Sequence, residues 1–259
     1  MILILGGTSE SREITAALVA EGYQVIASAT TPYGGLLLKE AGASEIIQKR
    51  LAEEELINLV RTRGILILID ATHPFAELVT VNARSACIRT GIPYIRYERP
   101  GCTIPEHPLI HRVQGYLAAA QKATELAVQT IFVTTGTKTL PVFCQEARKQ
   151  GKRIVARILP DLEGLKLCLK LGIPPGDIIA IQGPFSIDLN QALFNAFQAD
   201  VMVTKDSGTA GGTSAKIEAA LAQSLPVVLI ERPTLVDGSV GSIEQLLGKI
   251  HQLERNEQS

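Results

Sequence analysis

Residues 1–12 read Met1-Ile2-Leu3-Ile4-Leu5-Gly6-Gly7-Thr8-Ser9-Glu10-Ser11-Arg12. An apolar, partly β-branched run meets a Gly-Gly turn, and hydroxyl and acidic residues then open an amphipathic stretch. That is a strand, a tight turn and a helix start. A continuous apolar run suits a strand covered on both faces of a parallel sheet. The pattern recurs at 24–28, 65–70, 94–97, 130–134, 153–157, 178–182, 201–204 and 227–230, with a weaker run at 45–48. Stretches at helical spacing lie between the runs, as at 11–21, 53–63, 76–90, 115–127 and 214–223. Such alternation means βαβ units with right-handed crossovers.

Residues 99–108, Arg-Pro-Gly-Cys-Thr-Ile-Pro-Glu-His-Pro, interrupt the alternation with three prolines and no helical period. They read as a linker between α/β halves at residues 1–100 and 109–259. The halves look alike. Residues 91–100 read GIPYIRYERP, residues 224–233 read SLPVVLIERP, and each follows a strand, a polar loop and a helix. Two such open sheets leave a cleft along their carboxyl edges, where α/β proteins take ligands. The fold expected is therefore α/β, with two parallel-sheet domains and a ligand cleft between them.

Composition narrows the function. The 259 residues carry 25 basic against 26 acidic side chains, a formal net charge of −1, which excludes general nucleic-acid attraction. A local basic pocket for an acidic small molecule stays compatible with that balance. Hydrophobic residues make up 46%, which excludes a disordered chain. The apolar run at 65–69 is far short of the roughly 18 residues that span a bilayer. Met1 leads straight into the first strand, so no targeting segment, no membrane and a cytoplasmic location are expected. Cys87, Cys102, Cys144 and Cys168 form no C-x-x-C pair and no Cys/His cluster, so reduced thiols and no metal site are expected.

The candidate chemistry lies in loops at strand carboxyl ends. Gly6 and Gly7 let backbone amides approach a phosphate, and the helix that Thr8, Ser9 and Glu10 begin favours negative charge. The loop departs from G-x-G-x-x-G, because positions 9 and 11 are serines. A tight capped turn fits the same residues. The second strand ends Ala27-Ser28-Ala29-Thr30-Thr31, with no Asp or Glu for a ribose diol. Hydroxyls at Ser28 and Thr30 tolerate a 2′-phosphate, which favours NADPH while leaving NADH open. A loop that is merely rich in Ser and Thr is the alternative.

Asp70-Ala71-Thr72-His73-Pro74-Phe75-Ala76 follows the strongest strand of the first half. Thr72 bonds a nucleotide or caps the helix, and Pro74 suits a helix start. His73 donates to a substrate or handles a proton, since histidine titrates near neutrality. Satisfied loop residues fit the same letters. Thr134-Thr135-Gly136-Thr137-Lys138 reads as an anion-binding turn with Lys138 as charge partner, or as a simple capped turn. Residues 182–186 read as cleft wall. The loop Lys205-Asp206-Ser207-Gly208-Thr209-Ala210-Gly211-Gly212-Thr213-Ser214-Ala215-Lys216 wraps an anion with its amides while Lys205 and Lys216 neutralise charge. It is not a G-x-x-x-x-G-K-[ST] loop, and a flexible surface loop is its other reading.

Together these segments resemble the precorrin-6A reductase / cobalt-precorrin-6A reductase family of corrin-ring biosynthesis. ILILGGTSESR, DATHPFA, PYIRYERP, KDSGTAGGTSAK and LPVVLIERP carry the resemblance, which spans nearly the whole chain. It implies two Rossmann-like domains, a nicotinamide at the first sheet's edge and a tetrapyrrole in the cleft. It implies NAD(P)H-dependent reduction of one ring double bond, precorrin-6A or its cobalt form giving the 6B form. TTPYGG at 30–35 is more similar to the cobalt members. The cofactor residues expected are Gly6, Gly7, Thr8, Ser9, Glu10, Ser28, Thr30 and Thr72. A polycarboxylate ring needs cations and amide donors, for which Lys138, Arg157, Lys205 and Lys216 stand at strand ends, with Arg96 and Arg99 as further candidates. His73, Pro74, Phe75, Thr135, Gly136, Asp206, Ser207, Gly208, Gly211 and Gly212 complete the expected substrate surface, with His73 handling a proton. The acidic ring is the expected partner of a monomer or small homo-oligomer.

Two other classes stay open, a nucleotide-sugar enzyme and a non-catalytic dinucleotide sensor. A short-chain dehydrogenase needs Tyr-x-x-x-Lys, whereas Tyr23, Tyr33, Tyr94, Tyr97 and Tyr116 are followed four positions on by Ala27, Leu37, Glu98, Gly101 and Ala120.

Overall fold

The computed structural model describes residues 1–98, 101, 103–208, 212–232 and 238–257. The chain forms two units, Met1–Pro100 with Thr234–Ser259, and Gly101–Pro233.

The first unit is built on β1 (Ile2–Leu5), β2 (Val25–Ser28), β3 (Glu45–Ile47), β4 (Ile67–Asp70) and β5 (Tyr94–Arg96). The order is β3-β2-β1-β4-β5, all parallel. Between the strands run α1 (Ser9–Ala20), α2 (Pro32–Glu40), α3 (Glu53–Arg63) and α4 (Glu77–Thr90). Alternation along β1 explains its uninterrupted apolar letters: Ile2 and Ile4 pack with Ile14 and Leu18 of α1, while Leu3 and Leu5 pack with Leu56, Ile57 and Val60 of α3. The helix α2 is absent from the sequence reading. Its start is set by Pro32 in the first turn and by Thr31 Oγ1, which accepts from the Gly34 amide at 3.1 Å.

The second unit carries β6 (Ile110–Val113), β7 (Thr130–Val133), β8 (Arg153–Ile158), β9 (Ile178–Ala180), β10 (Val201–Lys205) and β11 (Val227–Ile230). Their order is β6-β11-β10-β7-β8-β9, again all parallel. The helices are α5 (Tyr116–Leu126), α6 (Leu140–Lys149), α7 (Leu162–Lys170), α8 (Ile187–Ala196) and α9 (Thr213–Ala222). Read from the other edge, β9-β8-β7-β10-β11 repeats β3-β2-β1-β4-β5, so the two ERP segments follow equivalent strands.

The sixth position of each sheet is filled unexpectedly. In the second unit it is β6, which precedes the repeat in sequence. In the first unit Val240 bridges Tyr97 in parallel, and its amide donates to Arg96 O at 2.9 Å. The helix α10 (Ile243–Glu257) follows, and its Leu246 and Ile250 are fully buried against Ile14 and Leu18. Tyr23 donates its hydroxyl to Glu254 Oε2 at 3.0 Å. Residues after 233 thus join the first unit, which differs from the expected assignment of 109–259 to one half. The cause is packing: the apolar face of α10 is completed by α1.

Among the described residues, no helix is long and apolar enough to cross a membrane, and no group of three or more His, Cys, Asp or Glu could hold a metal ion. Cys87, Cys144 and Cys168 are free and buried, and Cys102 lies outside the described residues.

Candidate functional site

The carboxyl edge of the first sheet brings three loops together. Leu5, Ser28 and Asp70 stand at one level, because β1 pairs with both β2 and β4 in that register. The Gly6 amide donates to Ser28 O at 2.9 Å, which seats the β1–α1 turn beside the end of β2. A Cβ on Gly6 would meet Ser28 O at 3.0 Å, and Gly7 has φ +121°, a conformation side chains rarely adopt. Thr8 caps α1 by accepting from the Ser11 amide at 3.2 Å, and Ser11 Oγ returns a bond to Thr8 O at 2.7 Å. Ser9 Oγ donates to Glu10 Oε2 at 3.0 Å. The exposed Gly7 and the half-buried Ser9 and Glu10 therefore stand at the positive end of α1, where first-turn amides lack intrahelical acceptors.

Thr8 Oγ1 also donates to Ala71 O at 3.0 Å, tying this turn to the loop after β4. Asp70 is fully buried there and accepts five bonds. Oδ1 takes the Thr72 amide at 3.0 Å, Thr72 Oγ1 at 2.6 Å and Arg96 Nη1 at 2.8 Å. Oδ2 takes Thr80 Oγ1 at 2.7 Å and Tyr94 Oη at 2.9 Å. Burial foremost, with the Asp70 charge beside it, pushes the Tyr94 phenol far above its usual value. Thr72 and Arg96, read from sequence as ligand contacts, spend their polar atoms on this cage: Arg96 Nη1 also reaches Thr72 Oγ1 at 3.2 Å. The cage sets the course of residues 71–76, in which His73, Pro74 and Phe75 stay half-buried. His73 Nδ1 accepts from the Phe75 amide at 3.2 Å, so the neutral ring carries its proton on Nε2.

At the end of β2, Ser28 is buried and Thr30 exposed, next to the start of α2. β3 lies beside β2 with Ile47 opposite Ser28, so Lys49 and Arg50 follow at the same edge. Lys49 pairs with Glu55 at 2.6 Å, while Arg50 is exposed with no carboxylate partner among the described residues. The sequence reading missed Arg50; its signal was position after the weak strand at 45–48.

In the second unit, Thr135 is buried and its hydroxyl meets Thr139 Oγ1 at 2.6 Å, closing the turn after β7. Gly136 stays half-buried and Lys138 exposed. Lys205 is half-buried at the end of β10; burial first, and the nearby Lys138 charge second, hold its ammonium below the usual lysine range. The loop after β10 folds on itself. Asp206 Oδ2 pairs with Arg232 Nε at 3.2 Å and Oδ1 accepts from the Gly208 amide at 3.2 Å. Thr213 Oγ1 accepts from the Ser207 amide at 3.1 Å and donates to Lys205 O at 3.3 Å, while Ser207 Oγ donates to Lys205 O at 3.2 Å. Gly212 adopts φ +63° before α9, and Lys216 on that helix is buried. Gly211 lies outside the described residues. Arg157, at the end of β8, is buried and apart from the Lys138–Lys205 pair. Neighbouring residues on a strand point to opposite faces, and the register puts Arg157 level with Thr204, not Lys205.

Two parallel-sheet α/β units, with polar loops gathered at their carboxyl edges, define a protein of the doubly wound α/β class, whose members take ligands at that edge. Known proteins narrow the class. The profile of the family described as precorrin-6x reductase CbiJ/CobK matches residues 1–251, so the chain belongs to that family of reductases. It is similar to the cobalt-precorrin-6A reductase of Priestia megaterium, 39% identical with 93% of this chain and 94% of the relative covered. It is 35% identical to the cobalt-precorrin-6A reductase of Methanothermobacter thermautotrophicus, covering 98% and 85%. A solved structure titled CobK precorrin-6A reductase superposes with a TM-score of 0.78 at 25% identity, covering 97% of this chain and 96% of that one.

Proposed function

We propose that this chain reduces one ring double bond of a precorrin-6A-type macrocycle in cobalamin biosynthesis, with NADPH as donor, working in the cytoplasm. Family membership supports the reaction, and the cobalt-precorrin names of its relatives favour the cobalt-loaded ring. The observation that carries the reading is the bond from Thr8 Oγ1 to Ala71 O. It locks the turn suited to a dinucleotide phosphate and the His73 loop into one body.

The residues fit a nicotinamide dinucleotide. Gly6, Gly7 and the first turn of α1 would hold its pyrophosphate, since close backbone and a helix N-terminus favour anions. Ser28 and Thr30 would face the adenosine ribose, with the start of α2 and Arg50 favouring a 2′-phosphate. When bound, the reduced nicotinamide supplies a hydride equivalent to one carbon of the double bond. The neighbouring carbon needs a proton, which one of the ring's own acid groups or a water would supply, with the Nε2–H of His73 orienting that donor. Pro74 and Phe75 would flank it on the same loop. Lys138, Lys205 and Lys216, with the Gly136, Gly208 and Gly212 backbone, would hold the ring's carboxylates, while Thr72, Thr135, Asp206 and Ser207 keep those loops in shape.

Fluorescence titration with NADPH and NADH tests the first step. Turnover of metal-free and cobalt-loaded precorrin-6A with each nucleotide tests the second. Cofactor oxidation that requires the ring is the expected result. Binding of neither nucleotide refutes the proposal.

A further inference from the structure

Thr204, Thr134 and Arg157 form one row across β10, β7 and β8, one residue beyond the paired positions Val203, Val133 and Ala156. Two residues earlier on the same face stand Met202, Phe132 and Val155, in the apolar cluster that Phe194 of α8 and Ile217 of α9 cover. Arg157 therefore places a cation on the rim of an apolar core, and it is only 7% exposed. Nη1 donates to Asn190 Oδ1 at 2.7 Å, and Cζ lies 4.7 Å from the Phe185 ring centroid and 6.0 Å from that of Phe132.

Among the described residues, no carboxylate pairs with it. Burial without an opposing charge pushes its guanidinium down to about 10. Other buried or half-buried arginines among the described residues are answered: Arg96 by Asp70 at 2.8 Å, and Arg153, four residues earlier on β8, by Asp177 at 2.6 Å. In the same row, the fully buried Thr204 has no hydrogen-bond partner for Oγ1 among the described residues. A buried unpaired cation and a buried idle hydroxyl both cost stability. The surroundings are nonetheless braced. Asn190 is fully buried and donates to Ser186 O at 2.7 Å, and Gly183 leaves room for the Phe185 ring, which a Cβ would approach to 2.9 Å.

We propose that this is a carboxylate pocket: the Arg157 fork receives one carboxylate of the acidic ring on the α8/α9 face of the second sheet, apart from Lys138 and Lys205. The inference rests on the reading that the second unit takes a polycarboxylate, and it divides recognition between two faces. A planar fork suits a planar carboxylate, bound bidentately, with the Thr204 hydroxyl further along the same row. Such a pocket rewards only a ligand whose carboxylates are spaced to reach both faces, so Arg157 sets specificity.

The test uses the full chain and the variants Arg157→Met and Arg157→Lys. Three quantities are measured: Tm without ligand, Tm in acetate against chloride at equal ionic strength, and KM and kcat for precorrin-6A and its cobalt form. Arg157→Met is expected to keep or raise Tm, because a buried uncompensated charge is removed. It should lose the acetate-specific rise in Tm and raise the ring's KM roughly 10- to 100-fold, more than it lowers kcat. Arg157→Lys should not rescue KM, because a point charge cannot form the fork. A lowered Tm with KM unchanged overturns the pocket and makes Arg157 structural, as does equal acetate stabilisation of parent and Met variant. If the parent reduces neither ring while its acetate effect depends on Arg157, the pocket stands and the reductase reading fails.

Discussion

Arg96 Nη1 lies 2.8 Å from Oδ1 of Asp70, and the two side chains are 3% and 0% exposed. The pair joins the ends of neighbouring strands, since β4 and β5 align Asp70 with Arg96. Four further donors, from Thr72, Thr80 and Tyr94, complete the shell of Asp70. A carboxylate held from so many sides fixes the exit angle of the loop that carries His73.

Removing Asp70 should therefore cost more than removing Arg96. Asp70→Asn removes the nearer counter-charge of the buried Arg96, leaving only Glu98 Oε2 at 3.4 Å from its Nε, and should destabilise by about 3–5 kcal/mol in urea unfolding. Arg96→Met leaves Asp70 with its other donors and should cost clearly less. Equal losses from the two variants would show that the other donors contribute nothing.

The bond from Thr8 to Ala71 gives a second prediction. Thr8→Val removes both the α1 cap and the link to the His73 loop. Loss of the cap alone costs roughly 1 kcal/mol. Thr8→Ser keeps both bonds and should retain stability and nicotinamide affinity, whereas Thr8→Val should weaken the affinity beyond what its stability loss explains. Calorimetric titration with NADPH on the two variants decides it; identical Kd values would dissociate the link from the cofactor.

How far these features could be read in the sequence depended on range. The strand runs, the Gly6–Gly7 turn and the helix start near Ala76 rest on local signals, and they stand as read to within one or two residues. Segment 110–113 gave no signal, because Ile-His-Arg-Val at a sheet edge need not be apolar throughout. Asp70 looked like a turn cap, since its partners Thr80, in α4, and Tyr94 and Arg96, beyond it, lie 10 to 26 residues away. Where Arg157 stands relative to the lysines was not legible for a related reason. Which face a strand-end residue takes depends on register against its neighbours, and one chain's letters do not fix register.

The helix α10 is the largest element misplaced by sequence, and it supplies a third prediction. Leu246 and Ile250 are fully buried against α1. Leu246→Ala should cost about 2–5 kcal/mol, from the lost contacts and the cavity left behind. The loss should fall on the first unit. Hydrogen exchange should speed up in α1 and β1 and stay slow in β7 and β10. Uniform acceleration in both units would contradict the assignment of the tail to the first.

Lys205 carries the last prediction, one of pH. Its ammonium titrates below the ordinary value of 10.5, chiefly through burial and then through Lys138. The unfolded chain then holds more protons than the folded one between the two values. Stability should accordingly rise with pH through an alkaline window just under 10.5, and Lys205→Met should flatten that rise. Affinity for an acidic ring should move the opposite way, falling through the same window as the charge is lost. Lys138→Ala should shift both effects to higher pH, because one repelling charge is gone. At neutral pH, Lys205→Ala should weaken ring binding roughly tenfold while leaving nicotinamide binding in place. Equal loss of both ligands would remove Lys205 from the ring site.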